Sequence, residues 1–258
     1  MFQKRTNKFN MLKSERKIIA ANWKMNGSIS FTENYFQKLN AFCSQNTLNA
    51  SIVTFIPYTY LVVARNIIST SIYLGAQDVT SRVSNKSTGE ISAQMLADCG
   101  VSYIMLAHAE RRGVLESDLI IKEKLLNALK AKEDFHFIIC VGEETRDKQS
   151  AKKSIKKQLD VFLESSNLCS NKITIAYEPI WAIGSGLSPS LEHINEFVKF
   201  IRENCSDSNT KVIYGGSVNK NNISEIVNIT DGVLIGSSSW SIEEFIEILK
   251  KYHFDLLK

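Results

Sequence analysis

Three prolines in 258 residues, with no Pro/Gly/Ser-rich stretch, leave no linker and no composition break that would divide the chain. No apolar run reaches the roughly 18 residues of a membrane span, and the N-terminus lacks the apolar core of a signal peptide. The five cysteines (Cys43, Cys99, Cys140, Cys169, Cys205) are odd in number and show neither CxxC nor Cys/His metal spacing. Several sit in apolar segments, which suits reduced, buried thiols in a cytoplasmic protein. No dinucleotide GxGxxG fingerprint, metal-ligand cluster or nucleophilic thiol motif is present, so neither a cofactor nor a metal is expected.

A surplus of charge is also missing where it would matter. The formal net charge of +4 and pI near 8.7 invite a nucleic-acid partner. Residues 1–16, however, carry five basic side chains against the single Glu15, which leaves 26 basic and 26 acidic residues in the rest. The excess describes a basic N-terminal extension (1–16), expected to be flexible, with Met11 a candidate natural start. Neither a nucleic acid nor a membrane is expected as a partner.

What is present is alternation. Eight short, β-branched runs occur at 17–22, 50–55, 71–76, 101–106, 135–140, 172–177, 210–214 and 232–236, with amphipathic stretches between them. Their apolar character is nearly continuous, as in parallel strands covered on both faces. In the stretch 151–164, Ile155, Leu159, Phe162 and Leu163 share one face, so Lys152, Lys153, Lys156 and Lys157 are expected outward. Strict βα alternation builds either an open doubly wound sheet or a closed barrel. Eight units in residues 17–258 match the size of a single (β/α)8 barrel, with chemistry expected just after the strands.

The residues that break the pattern fall there. Asn22 and Lys24 follow the first strand, His108 to Arg112 the fourth, and Glu178 the sixth, before a proline and an apolar, glycine-ended loop. A carboxylate among apolar neighbours is a stronger base for want of solvation. Tyr214-Gly215-Gly216-Ser217 and Gly236-Ser237-Ser238-Ser239 follow the last two strands, where open N–H groups at a helix start bind anions. Each feature alone has a structural explanation. Together, a base, an imidazole, a lysine and an anion nest on one face suit proton abstraction beside the carbonyl of a small phosphorylated substrate.

The runs NWKMNG (22–27), HAERR (108–112), YEPIWAIGSG (177–186), YGGSV (214–218) and DGVLIG (231–236) resemble the triosephosphate isomerase family, in the same order and over about residues 17–250. The resemblance implies a TIM barrel that interconverts dihydroxyacetone phosphate and glyceraldehyde 3-phosphate without a cofactor. It implies roles known of that family: Glu178 as base, His108 as neutral electrophile, Lys24 as positive charge and Asn22 as a hydrogen-bond partner of the substrate oxygen. Backbone N–H groups of Gly184, Ser217, Gly236 and Ser237 would hold the phosphate. A closing lid from about 179 to 189, including Ile183, Ser185 and Gly186, would be fastened by Tyr214 and Ser217. The segment 77–90 resembles the loop that family homodimers insert beside the partner's active site; Thr88-Gly89-Glu90 fits that pattern, with Thr88 near the partner's Lys24.

Two positions depart from the family's pattern. Ala109 replaces a serine whose hydroxyl holds the base in its resting position, so Glu178 is expected elsewhere or in several rotamers. Ser237 stands where a second glycine is usual, and its Cβ is expected to crowd the phosphate. On sequence alone, a different phosphosugar enzyme or a non-catalytic binding homologue remain alternatives.

Overall fold

A computed structural model describes residues 16–84, 86–131, 134–163, 172–183, 188–205, 207 and 209–255. The basic tail, apart from Arg16, therefore lies outside the described residues. Eight parallel strands close into a barrel in sequence order: β1 (Lys17–Asn22), β2 (Ala50–Ile56), β3 (Ile72–Ala76), β4 (Tyr103–Leu106), β5 (His136–Val141), β6 (Ile173–Tyr177), β7 (Lys211–Tyr214) and β8 (Gly232–Ile235). Pairing of Ile18 with Gly232 joins the last strand to the first. Each strand is followed by one described helix: α1 (Ile29–Gln45), α2 (Leu61–Arg65), α3 (Ala93–Asp98), α4 (Asp118–Ala131), α5 (Lys148–Leu163), α6 (Leu191–Glu203), α7 (Ile223–Ile229) and α8 (Ile242–Asp255).

Closure explains why the strands read as continuous apolar runs. Ile18 and Ala20 of β1 point into the barrel with Val53, Phe55, Tyr103, Met105, Ile138, Cys140, Ala176, Ile213 and Leu234. The alternate residues, Ile19 and Ala21 among them, pack outward beneath the helices. Side chains alternate across the strand, yet both faces are buried, so both are apolar. Gly75 supports the inner layer by having no side chain, since a Cβ there would stand 2.3 Å from the Phe55 ring.

Strand bounds match the sequence pattern to within one residue except at β4, which starts at Tyr103. Val101 is taken by the exit from α3: Gly100 turns left-handed at φ 77° and the Val101 N–H returns to the Leu96 carbonyl at 3.0 Å. Helix α5 starts three residues before the expected 151, because the Asp147 carboxylate accepts the Ser150 N–H at 2.9 Å and caps it. Ile155, Leu159 and Phe162 are buried and Lys153, Lys156 and Lys157 exposed. Lys152 departs from that outward face: it is half-buried, pairs with Glu196 at 2.9 Å and lies over the Phe200 ring.

Candidate active site

The C-terminal ends of the strands enclose a cavity of about 550 Å³ lined by Asn22, Lys24, His108, Glu178, Ile183, Ser217, Gly236 and Ser237, among others. The barrel's alternation aims several of these. Ala176 faces inward, so Glu178, two residues on, does too, and it is buried. Its backbone continues the ladder: Glu178 N–H donates to Val141 O, and Gly215 N–H to Tyr177 O, both at 2.8 Å. Gly215 leaves the carboxylate its room, since a Cβ there would meet the Glu178 Cγ at 2.8 Å.

His108 reaches the cavity by a different device. Tyr103 and Met105 point inward, so simple alternation would turn residue 108 outward. Ala107 interrupts it with φ 62°. Leu106 and Ala107 both pack in the outer layer, and His108 swings into the cavity. A non-glycine residue in this region costs about 1–2 kcal/mol. The His108 Nδ1 lies 3.2 Å from the Glu110 N–H, and its Nε2 faces the Glu178 Oε1 at 3.5 Å.

The resting position of Glu178 corrects the expectation drawn from Ala109. The carboxylate is held at that residue: its Oε2 accepts the Ala109 N–H at 3.1 Å. The backbone donor survives the loss of a side-chain hydroxyl. Cys140 lies on the neighbouring strand, and its thiol is pushed well above the ordinary range by burial and by the Glu178 carboxylate. It stays protonated at neutral pH and offers no competing nucleophile.

Lys24 has φ 53°, and its Nζ pairs with the Glu110 Oε1 at 2.5 Å. Its N–H donates to the Asn22 Oδ1 at 3.0 Å, and Gln77 Nε2 donates to the Lys24 carbonyl at 2.9 Å. The recorded partner of the Asn22 Nδ2 is the Met105 sulfur at 3.9 Å. Across the cavity a 3-10 turn spans Ser237–Ser239, and a Cβ on Gly236 would lie 3.5 Å from the Lys24 Cε. The Lys24 side chain thus borders the turn after β8.

At the root of the expected lid, the Trp181 Nε1–H donates to the Glu143 Oε1 at 2.9 Å and the Tyr177 hydroxyl to the same atom at 3.0 Å. His193 Nε2 lies 3.0 Å from that hydroxyl. Glu143 is buried, which pushes its carboxyl up to about 7 against the pull of these two donors. The Tyr214 hydroxyl is buried without a hydrogen-bond partner among the described residues. Ile183 lines the cavity; Gly184, Ser185 and Gly186 lie outside the described residues. Thr88, Gly89 and Glu90 are exposed, on a loop closed at its base by the Thr80 N–H to the Ile91 carbonyl, and do not line their own chain's cavity.

Sequence reasoning missed Glu143 and Gln77, although both follow a strand directly and so carried the same positional signal as Glu178. It also missed the use of Arg111, which with Lys124 forms ion pairs to Asp78 and Glu116 at 2.5–2.8 Å and anchors the segments after β3 and β4 to α4.

The cavity thus brings together a buried carboxylate, an imidazole, a lysine and the turn after β8. The family model for triosephosphate isomerase matches residues 17–252. The chain is 37% identical over 244 residues to a triosephosphate isomerase from Mycoplasma mobile, covering 91% of this chain and 99% of the relative. It is 38% identical over 252 residues to one from Buchnera aphidicola subsp. Baizongia pistaciae (91% and 98%), and 38% over 237 residues to one from a Wolbachia of Brugia malayi (91% and 97%). The chain belongs to the triosephosphate isomerase family.

Proposed function

We propose that this chain interconverts dihydroxyacetone phosphate and D-glyceraldehyde 3-phosphate by proton transfer through an enediolate. The observation that carries the roles is the 3.5 Å approach of the Glu178 carboxylate to the His108 Nε2 at the base of the cavity. Glu178 leaves the Ala109 N–H, removes a proton from one carbon and returns it to the next. The neutral His108 donates its Nε2–H to the developing oxyanion and relays protons between the two oxygens. Lys24 stabilises the same negative charge, and Asn22, whose Nδ2 faces the soft Met105 sulfur at 3.9 Å, donates to the substrate oxygen. The N–H groups of Ser217, Gly236 and Ser237, with Gly184, hold the phosphate. The lid, through Ile183, Ser185 and Gly186 and fastened by Tyr214, excludes water and suppresses elimination from the enediolate.

The working unit is a homodimer in the cytoplasm. Met25, 96% exposed beside Lys24, and Val83, 83% exposed on the 77–90 loop, are apolar surfaces that suit coverage by a second copy. Thr88, Gly89 and Glu90 would then reach the partner's active site. The four described cysteines are free thiols, as suits a reducing compartment.

A coupled assay with glyceraldehyde 3-phosphate tests this reading. Wild-type protein is expected to turn over, and Glu178→Gln to lose on the order of a thousandfold in kcat, the scale of a general base. A folded wild-type dimer without turnover would favour the non-catalytic alternative.

A further inference from the structure

The loop that leaves β5 grips the first turn of the expected lid. Ile180–Ala182 form a 3-10 turn, and the Ile180 N–H donates to the Glu143 carbonyl at 2.9 Å. Trp181, in the middle of that turn, is held on three sides. Its Nε1–H donates to the Glu143 Oε1 at 2.9 Å. The His193 ring stands against it at 88°, with centroids 5.6 Å apart. The Arg146 guanidinium lies 4.6 Å from its ring centroid.

The third contact is the one that local charge does not explain. Arg146 is exposed, and no carboxylate pairs with it among the described residues. The charges beside it are engaged elsewhere: Asp147 caps α5, and Lys148 binds Glu196 at 2.6 Å. A guanidinium seated on the negative face of an indole needs no counter-ion, and its plane matches the ring. Trp181 is three residues from Glu178 on one short segment, and here the Glu178 carboxylate rests on the Ala109 N–H. Ile183, at the far end of the segment, lines the cavity. A contact on the indole in this arrangement therefore bears on where both the base and the lid begin.

We propose that Arg146 is a positioning residue of the lid: its stacking on Trp181 holds the first turn in the resting arrangement and so sets how readily the lid closes over an anion. This rests on the isomerase reading, in which the segment from about 179 to 189 closes over the substrate phosphate.

A ligand held by the closed lid binds with an apparent affinity scaled by the closed fraction. Removing a contact that belongs to the resting arrangement raises that fraction, and a cation–π contact at an exposed site predicts an effect of about two- to fivefold. The sign is diagnostic. Arg146 does not line the cavity, and loss of a nearby cation would by itself weaken anion binding.

The test compares Arg146→Ala, Arg146→Gln and Arg146→Lys with wild type. The probe is glycerol 3-phosphate, a three-carbon phosphate with no carbonyl to isomerise. Arg146→Ala and Arg146→Gln should bind it about two- to fivefold more tightly. Arg146→Lys, which keeps the charge without the planar face, should fall between them and wild type. KM for glyceraldehyde 3-phosphate should fall by a similar factor with kcat unchanged or lower, a split that a merely structural arginine would not produce. In a Trp181→Leu background, Arg146→Ala should no longer tighten binding, because the face it stacks on is gone. Unchanged or weaker binding in Arg146→Ala, or the same gain without the indole, overturns the proposal. Binding is read without turnover, so the two failures are distinguishable. A wild type that binds glycerol 3-phosphate but does not isomerise counts against the isomerase reading alone, and turnover with unmoved affinities counts against the role of Arg146 alone.

Discussion

The two ends of the barrel handle polar groups in opposite ways. At the N-terminal end of the strands they are consumed. The Asp231 Oδ2 accepts from Arg202 at 2.7 Å and from the Val212 N–H at 2.9 Å, while its carbonyl accepts the Ile18 N–H at 2.9 Å. Lys17 donates to the Thr230 carbonyl at 2.6 Å and Lys211 to the Arg16 carbonyl at 2.5 Å. At the C-terminal end, Lys24 and Ala107 are the two non-glycine residues with left-handed φ among those described. Among the described residues, six buried side-chain atoms lack a partner: Trp23 Nε1, Thr54 Oγ1, Arg112 Nε, Glu116 Oε2, Glu143 Oε2 and Tyr214 OH. Every one lies in the second half of a strand or in the loop that follows. One end pairs its polar groups within the fold, and the other, beside its own ion pairs, also keeps unpartnered polar atoms and strained backbone near the cavity.

Of the changes that contrast the two ends, the one with the largest expected effect breaks the active end alone. Lys24→Ala removes the cavity's cation and leaves Glu110 unpaired beside the anion nest. Loss of one charge-stabilising group predicts a fall of about 100-fold or more in kcat/KM. The chemical denaturation midpoint should stay near that of wild type, because the ammonium is partly exposed and its pair stabilises little. An equal loss of stability would show that this lysine belongs with the structural charges.

Asp231→Ala is the mirror image. It removes the shared acceptor of Arg202 and the Val212 N–H at the junction of β7, β8 and α6. Hydrogen bonds to a half-exposed carboxylate predict a cost of about 2 kcal/mol in urea unfolding, with kcat/KM within about twofold of wild type. A large loss of activity would mean that the two ends are coupled through the strands.

The same contrast governs what could be read from the sequence. Strand positions were legible because burial on both faces forces apolar runs. Glu178 and Lys24 were legible because charge is out of place at a buried strand end. The inward turn of His108 was not, since it depends on the left-handed φ of Ala107, which an alanine does not advertise. Nor was the donor to Glu178, because a backbone N–H is present at almost every residue and only geometry says which one is free. Glu143 was overlooked because its partners, Trp181 and Tyr177, come from a segment more than 30 residues away.

Glu143 also gives the active end a pH signature near neutrality. Burial raises its carboxyl from an ordinary 4.5 to about 7 in the fold. A raised value means that the folded state prefers the proton. The stability this group contributes is therefore full below about 4.5 and is lost as pH climbs through about 7. Above that, a carboxylate with its Oε2 unpartnered is buried ionised. Glu143→Gln keeps an oxygen for Trp181 and Tyr177 and removes the charge. Urea midpoints at about pH 5 and about pH 8 should show the variant gaining on wild type at the higher pH. A constant difference between them would place the titration elsewhere.

The smallest effect concerns the base itself. Restoring a hydroxyl by Ala109→Ser adds a second donor beside the backbone N–H that already holds the Glu178 Oε2 at 3.1 Å. An extra donor in the resting position stabilises the carboxylate where it is not reacting, and by itself would slow departure toward the substrate. The existing N–H makes that carboxylate already satisfied, so the increment is at most one further hydrogen bond, about 1 kcal/mol. Most of it is recovered if the hydroxyl follows the moving carboxylate. We expect kcat to change by less than about threefold. A larger fall would mean that the alanine keeps the resting hold on Glu178 weak, and a larger rise that the serine guides the base toward its working position.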